Sequence, residues 1–281
     1  MRLRHTATWV GVTAAALLAT SACGAESARS AATAVGNADK IMAALARATD
    51  RTENVGSAEV RMSTVMGDGS PITMEGTYSW GHGYAFDVEM DTRAVQMQRL
   101  QDAAKIRMLF VDGAYYYDVD PQPSGPLKGK EWMKVDASAV FGEKGAQALT
   151  GNTGGGSPAA SMRGLKYAND VDDLGKETVD GQSATHYRAV IDREHLGRFK
   201  DAYGNGDNLF GSLTGGSDSI TMDVWVGPKD LPVRIKQRFG RVTVTMDFEK
   251  FGATSTVKAP PAAQTGDVTE ELKKAAGRQQ G

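Results

Sequence analysis

The chain has 281 residues with 32 Lys+Arg against 34 Asp+Glu, a formal charge of −2, and a single cysteine. The missing basic surplus argues against nucleic acid as the principal partner. One cysteine excludes an internal disulfide framework, so stability has to come from a core or a bound ligand.

Arg2, Arg4 and His5 form a short positive region ahead of the apolar run Ala7 to Ala19. This is a secretory signal pattern. The run falls well short of the ~20 apolar residues that a membrane-spanning helix needs, so residues 1–22 are expected to address the chain and then be removed. Leu18-Ala-Thr20-Ser-Ala22-Cys23 resembles a lipobox, with Thr20 standing where leucine is usual. Cys23 would then carry diacylglycerol and become the N-terminus, on the extracytoplasmic face of the cell membrane. The rival, ordinary cleavage after Ala22, leaves the only thiol without a role. Two acyl chains give stable anchoring where one gives reversible attachment. Loss of Arg2 and Arg4 leaves 30 cations against 34 anions, a charge of −4.

Residues 23–36 are rich in Ala and Ser and read as a flexible tether. A helix is predicted over 37–49, with Asn37 as N-cap and Ile41, Leu45 and Ala48 on one face. Period-two alternation then marks two strands, Ile72 to Trp80 and Tyr84 to Met90, around Gly81-His82-Gly83. Asp112-Gly113 predicts a tight primed turn within a second hairpin over Ile106 to Val119. A short strand follows at Glu131 to Val135. Ser157-Pro158 suits the start of a helix running to Tyr167. Asp180-Gly181 turns a third hairpin in Glu177 to Ile191, and a helical piece at Arg193 to Ala202 leads to a polar loop over Gly204 to Ser219. Three strands close the domain, at Ile220 to Val226, Val233 to Phe239 and Val242 to Phe248. Residues 261–281 are expected to be a flexible tail. The sum is one α+β domain over 37–260, whose open antiparallel sheet should curl and leave a concave face to fill.

Enzyme motifs fail when checked. Gly155-Gly-Ser157-Pro-Ala159 lacks the last glycine of a nucleophile elbow. Gly125 to Lys130 is one residue short of a phosphate loop. Asp170-Val-Asp172-Asp173-Leu174 places a leucine where a calcium loop needs oxygen. His82, His186 and His195 lack metal-ligand spacing and read as solvated. The expectation is a protein that is not an enzyme and has no cofactor or metal. Twelve methionines suit a surface that adapts to ligands of variable shape.

The lipobox, the paired segments TYSWGHGYAFDVEM, the FVDGAYYY hairpin, the KEWMKVD strand, ETVDGQSATHYRAVID and the closing DVWVGPKDLPVRIKQRF together resemble the actinobacterial lipoprotein family of LppX, LprA, LprF and LprG, whose fold is like that of the carrier LolA. The resemblance implies a half-open β-barrel, a curled antiparallel sheet with helices packed on its concave side, enclosing an apolar cavity for lipids or glycolipids. Alternation nominates Met74, Tyr78, Trp80, Phe86, Val88, Met108, Phe110, Val224, Val226 and Ile235 as lipid-binding residues. The expected partners are membrane lipids and the membrane reached through the anchor, with the protein itself a monomer. The alternative is a cell-surface interaction module without a cavity, binding an envelope protein.

Overall fold

In the computed structural model the described residues are 21–81, 83–150, 157–165, 168, 171–192, 194, 219–252 and 256–279. Residues up to Met42 and residues from Ala43 onward form two separate units. The first described element, α1 (Ser21–Val55), runs through both. Its backbone is helical over 24–36, where the sequence reading placed a flexible tether. Alanine is the best helix former, and a stretch without large apolar residues still propagates a helix nucleated downstream.

The second unit is built on one twelve-stranded sheet. In chain order its strands are β1 (Ser57–Met66), β2 (Ile72–Ser79), β3 (Ala85–Asp91), β4 (Lys105–Val111), β5 (Ala114–Asp118), β6 (Trp132–Asp136), β7 (Val171–Val179), β8 (Gln182–Asp192), β9 (Ser219–Val226), β10 (Pro232–Phe239), β11 (Val242–Phe251) and β12 (Thr265–Asp267). Their spatial order is β12-β6-β5-β4-β3-β2-β1-β11-β10-β9-β8-β7. Two meanders are thus joined where the last long strand, β11, returns beside the first. All pairings are antiparallel except β12 on β6. Among the described residues three further α-helices are α2 (Ala137–Thr150), α3 (Pro158–Gly164) and α4 (Thr269–Gln279). The architecture is the expected α+β half-barrel, a curled and unclosed sheet with few helices.

The turn chemistry acts as read. Asp112 and Gly113 have φ of 52° and 77°, and Asp180 and Gly181 have 48° and 79°, the paired positive values of a type I′ turn. Ser157 caps α3 by accepting a hydrogen bond from the Ala159 amide, with Pro158 in the first turn. Several elements depart from the reading. Strand β1 was not predicted, because its inward series Ala58, Val60, Met62, Thr64 is broken by a polar residue. Helix α2 was not predicted either, since Gly142 and Gly145 interrupt its pattern; Gly142 sits at φ 71° inside it. Residues 265–279, expected to be a flexible tail, add β12 and α4. Asp267 secures them by accepting from the Thr269 amide at the start of α4 and from Lys134 Nζ on β6. The calcium-like segment lies mostly in β7, where Asp173 accepts from the Gly175 amide at a bulge. His82, His195, the 154–156 glycines, and the predicted helix and loop over 195–218 lie outside the described residues.

Candidate functional site

Pairing register brings the inward side chains of separate strands into continuous rows across one face. Tyr78, Phe86, Phe110 and Tyr115 are successive cross-strand partners on β2, β3, β4 and β5. Their rings touch in sequence: Tyr78 to Phe86 at 5.1 Å between centroids, Phe86 to Phe110 at 5.5 Å, Phe110 to Tyr115 at 4.8 Å. Tyr84, just before β3, closes the group against Phe86 and Phe110. The row two residues along carries Val88, Met108, Tyr117 and Met133, with Gly76 in place of a side chain on β2. A third row runs Val224, Ile235, Met246, Met62, Met74, Met90 and Ile106 across seven strands. Four adjacent methionines occupy its centre.

Gly76 is required where it stands. A Cβ there would lie 2.2 Å from the Asp87 carbonyl oxygen, so β2 and β3 pass closer than any side chain allows. On β11 a bulge opposite Glu59 and Val60 places both Phe248 and Phe251 on the inner face, where their rings stack at 5.4 Å and 13°. One side of this face is closed by α2, whose Phe141 meets Tyr115 and whose Ala139 and Val140 join Met97, Leu100, Leu127, Met133 and Val135. The C-terminal turns of α1 cover another part, with Leu45, Ala48 and Thr52 buried.

Of the ten nominated residues, nine stand on this face. Tyr78, Phe86, Val88, Met108, Phe110, Val224, Val226 and Ile235 are buried, whereas Met74 is only half-buried. Trp80 is the exception in role: it follows the end of β2 and its indole Nε1 donates to the Thr52 carbonyl at 2.9 Å, pinning the end of α1 to the sheet. Sequence reasoning missed Met62, Met246, Tyr115 and Tyr117 as inward residues. Alternation in SAEVRMSTVM and TVTMDFEKF carried the signal for the two methionines, and the Tyr115-Tyr-Tyr117 run hid which two of three tyrosines point inward.

Met62, Met74, Met246, Tyr84, Tyr115 and Tyr117 all keep some accessible surface. Yet burial pushes the hydroxyl of Tyr117 up to about 12, and those of Tyr84 and Tyr115 well above their ordinary value. The tyrosine hydroxyls and methionine sulfurs make this part of the face soft and weakly polar.

The outer face carries a different cluster. His186, expected to be solvated, is 4% exposed. Its Nδ1 and Nε2 lie 2.8 Å from Glu177 Oε1 and Asp223 Oδ1, and its ring stacks on Trp225 at 4.0 Å. Trp225 Nε1 donates to Glu177 at 2.7 Å, and Arg188 donates to Asp223 at 2.6 Å. The Trp225 bond, followed by the His186 bond, holds the Glu177 carboxyl below the usual carboxylate range. Both ring nitrogens of His186 already face carboxylates, so neither points to open space. The cluster fastens the β7-β8-β9 edge.

No protein-family model matches the sequence. The chain is 26% identical over 240 residues to a Streptomyces coelicolor protein named "Putative lipoprotein SCO4650", covering 82% of this chain and 75% of that one. It is 24% identical over 254 residues to an uncharacterized 31.2 kDa protein of Streptomyces griseus encoded between rplA and rplJ, covering 83% and 80%. The crystal structure of the Mycobacterium tuberculosis lipoprotein LppX superposes with a TM-score of 0.51 at 14% identity, covering 78% of this chain and 99% of LppX. Strand order, curl and that superposition agree: the chain shares its fold, a curled and unclosed antiparallel half-barrel, with the LppX structure.

Proposed function

We propose that the protein is a lipoprotein of the cell envelope, anchored through Cys23 on the extracytoplasmic face of the membrane, that binds and carries acyl lipids against the inner face of its sheet without catalysing a reaction. The observation that carries this reading is the inner face itself, apolar along its pairing register yet left partly open at the methionine row and the tyrosines. An acyl chain laid there leaves water at ~25 cal/mol per Å² buried. Methionines deform to fit chains of different length or branching. The signal pattern, the lipobox and the lipoprotein name of the Streptomyces coelicolor relative support the anchor. Among the described residues no helix is long and apolar enough to cross a membrane. Residues 23–36 would lift the folded unit from the bilayer surface.

The test is native mass spectrometry of the Cys23→Ala chain, purified without detergent from a lipid-containing host, followed by organic extraction. A stoichiometric acyl lipid is expected, and Met74→Lys, at a half-buried position, should remove it while leaving the melting transition in place. A folded protein that stays empty after incubation with membrane lipids would overturn the carrier reading.

A further inference from the structure

A second concavity lies where α1 ends against the sheet. Arg51 and Val55 of α1, Gln182 at the start of β8, the loop residues Pro228, Lys229 and Leu231, and the β10 and β11 residues Pro232, Val233, Phe248, Glu249 and Phe251 enclose about 360 Å³. The volume is at the lower end of small-ligand sites. The stacked Phe248 and Phe251 that the β11 bulge turns to one side belong to its lining. Its charged residues are the cations Arg51 and Lys229 and the carboxylate of Glu249.

Arg61, Arg107, Arg188, Arg234 and Lys250 all pair with carboxylates. Among the described residues Arg51 and Lys229 have no ion-pair partner. The carboxylate in the lining and those adjoining the cations in sequence are engaged elsewhere: Glu249 with Arg61 at 3.0 Å, Asp230 with Arg47 at 3.5 Å, and Glu53 with Arg163 at 2.5 Å. The Thr52 carbonyl, which would present the negative end of the helix dipole, is occupied by the Trp80 indole and the Gly56 amide. Lys229 and Asp230 are both held at positive φ, 66° and 54°, a conformation that costs non-glycine residues energy and persists only where the surroundings impose it. The loop is set so that Asp230 turns to Arg47 and Lys229 stays unpaired.

Two stacked aromatic rings beside two cations that no ion pair engages match an amphiphile whose charged end is an anion. Resting on the carrier reading above, we infer that this cavity binds the phosphate-bearing headgroup of an anionic phospholipid, with Arg51 and Lys229 on the phosphate and the adjoining methylenes over Phe248 and Phe251. A zwitterionic headgroup brings its own cation to the same rim and loses the advantage.

The full chain is incubated with vesicles of phosphatidylglycerol or of phosphatidylcholine, separated from them, and its bound lipid extracted and counted by mass spectrometry. Wild type should load phosphatidylglycerol about tenfold over phosphatidylcholine, equivalent to roughly 1.4 kcal/mol. The Arg51→Gln/Lys229→Gln double variant should load both equally, and Arg51→Lys/Lys229→Arg should retain the preference. Wild type that loads both lipids equally overturns the headgroup site and leaves carriage standing. A chain that loads neither overturns carriage, and the inference with it. Inorganic phosphate alone, if it binds as tightly as the lipid and displaces it, assigns the cavity to a free anion and overturns the lipid assignment.

Discussion

Replacing Phe110 with alanine separates packed core from open floor on the same face of the sheet. Phe110 is fully buried, stacked on Phe86 and in ring contact with Tyr84 and Tyr115. Truncating a buried phenylalanine costs ~3–5 kcal/mol, from the lost transfer energy and the cavity left behind. Its aromatic pairs, each worth ~0.5–1.5 kcal/mol and not additive, put it near the top of that range. Met74, two rows further and half-buried, should cost only about 1–2 kcal/mol when truncated, because part of its surface is accessible already. Urea unfolding of the two variants, with an unchanged denaturant slope as the check on the unfolded state, measures both. A Phe110→Ala loss no larger than that of Met74→Ala would refute the packed aromatic row. Equal large losses at both positions would show the methionines to be closed core and remove the floor on which carriage depends.

Gly76→Ala should cost roughly 3–5 kcal/mol, because the new Cβ meets the Asp87 carbonyl and β2 must part from β3; a melting temperature within about 2 °C of wild type would contradict it. Cys23→Ala should move the protein from the membrane to the soluble fraction on cell fractionation, and unchanged attachment would remove the anchor. The inner tyrosines should ionise late: burial holds Tyr117 up to about 12 and Tyr78, Tyr84 and Tyr115 well above their ordinary value. A raised tyrosine favours the neutral folded state, so its contribution is complete below the unfolded value near ~10 and is lost as pH rises from there towards 12. Tyr117 alone accounts for roughly 3 kcal/mol of that loss. In an alkaline absorbance titration these four should ionise together with unfolding, and reversible ionisation near ~10 of every tyrosine in a still-folded protein would refute their burial.

Legibility followed the strength of local signals. The strands β2 to β6 and β8 to β11 were readable because alternation and Asp-Gly turns agree, and each such strand fixes which residues point inward. Strand β1 was not, although it joins the two meanders: Thr64 interrupts its inward series, and its place beside β11 is set by a pairing nearly two hundred residues apart in sequence. The tail followed the same rule, since β12 exists only because β6 offers an unpaired edge. The site was legible as a face and not as a cavity. Met74 and Phe110 alternate identically in sequence, and only the packing of neighbouring rings closes one and leaves the other half-open. His186 was misread because its partners, Glu177 and Asp223, come from the two flanking strands.

The outer face explains how the inner one is permitted to be soft. A floor of methionines specifies register poorly, because a flexible side chain fits almost equally well one position along, and a one-residue slip would turn a strand's inner set outward. The outer face carries charge pairs in register across that same stretch. Glu59 and Lys250 are cross-strand partners on β1 and β11, Arg61 and Glu75 on β1 and β2, Arg234 and Asp247 on β10 and β11, and Arg188 and Asp223 on β8 and β9. Each pair is joined by a side-chain hydrogen bond. The exposed pairs, Glu59–Lys250 and Arg61–Glu75, add little net stability, ~0–1 kcal/mol each. Their effect lies in the alternative they forbid: a slipped strand would carry these charges into the apolar interior, where an unpaired ion costs several kcal/mol. Specificity of pairing is thus held on the wet face. The dry face is left free to carry flexible side chains.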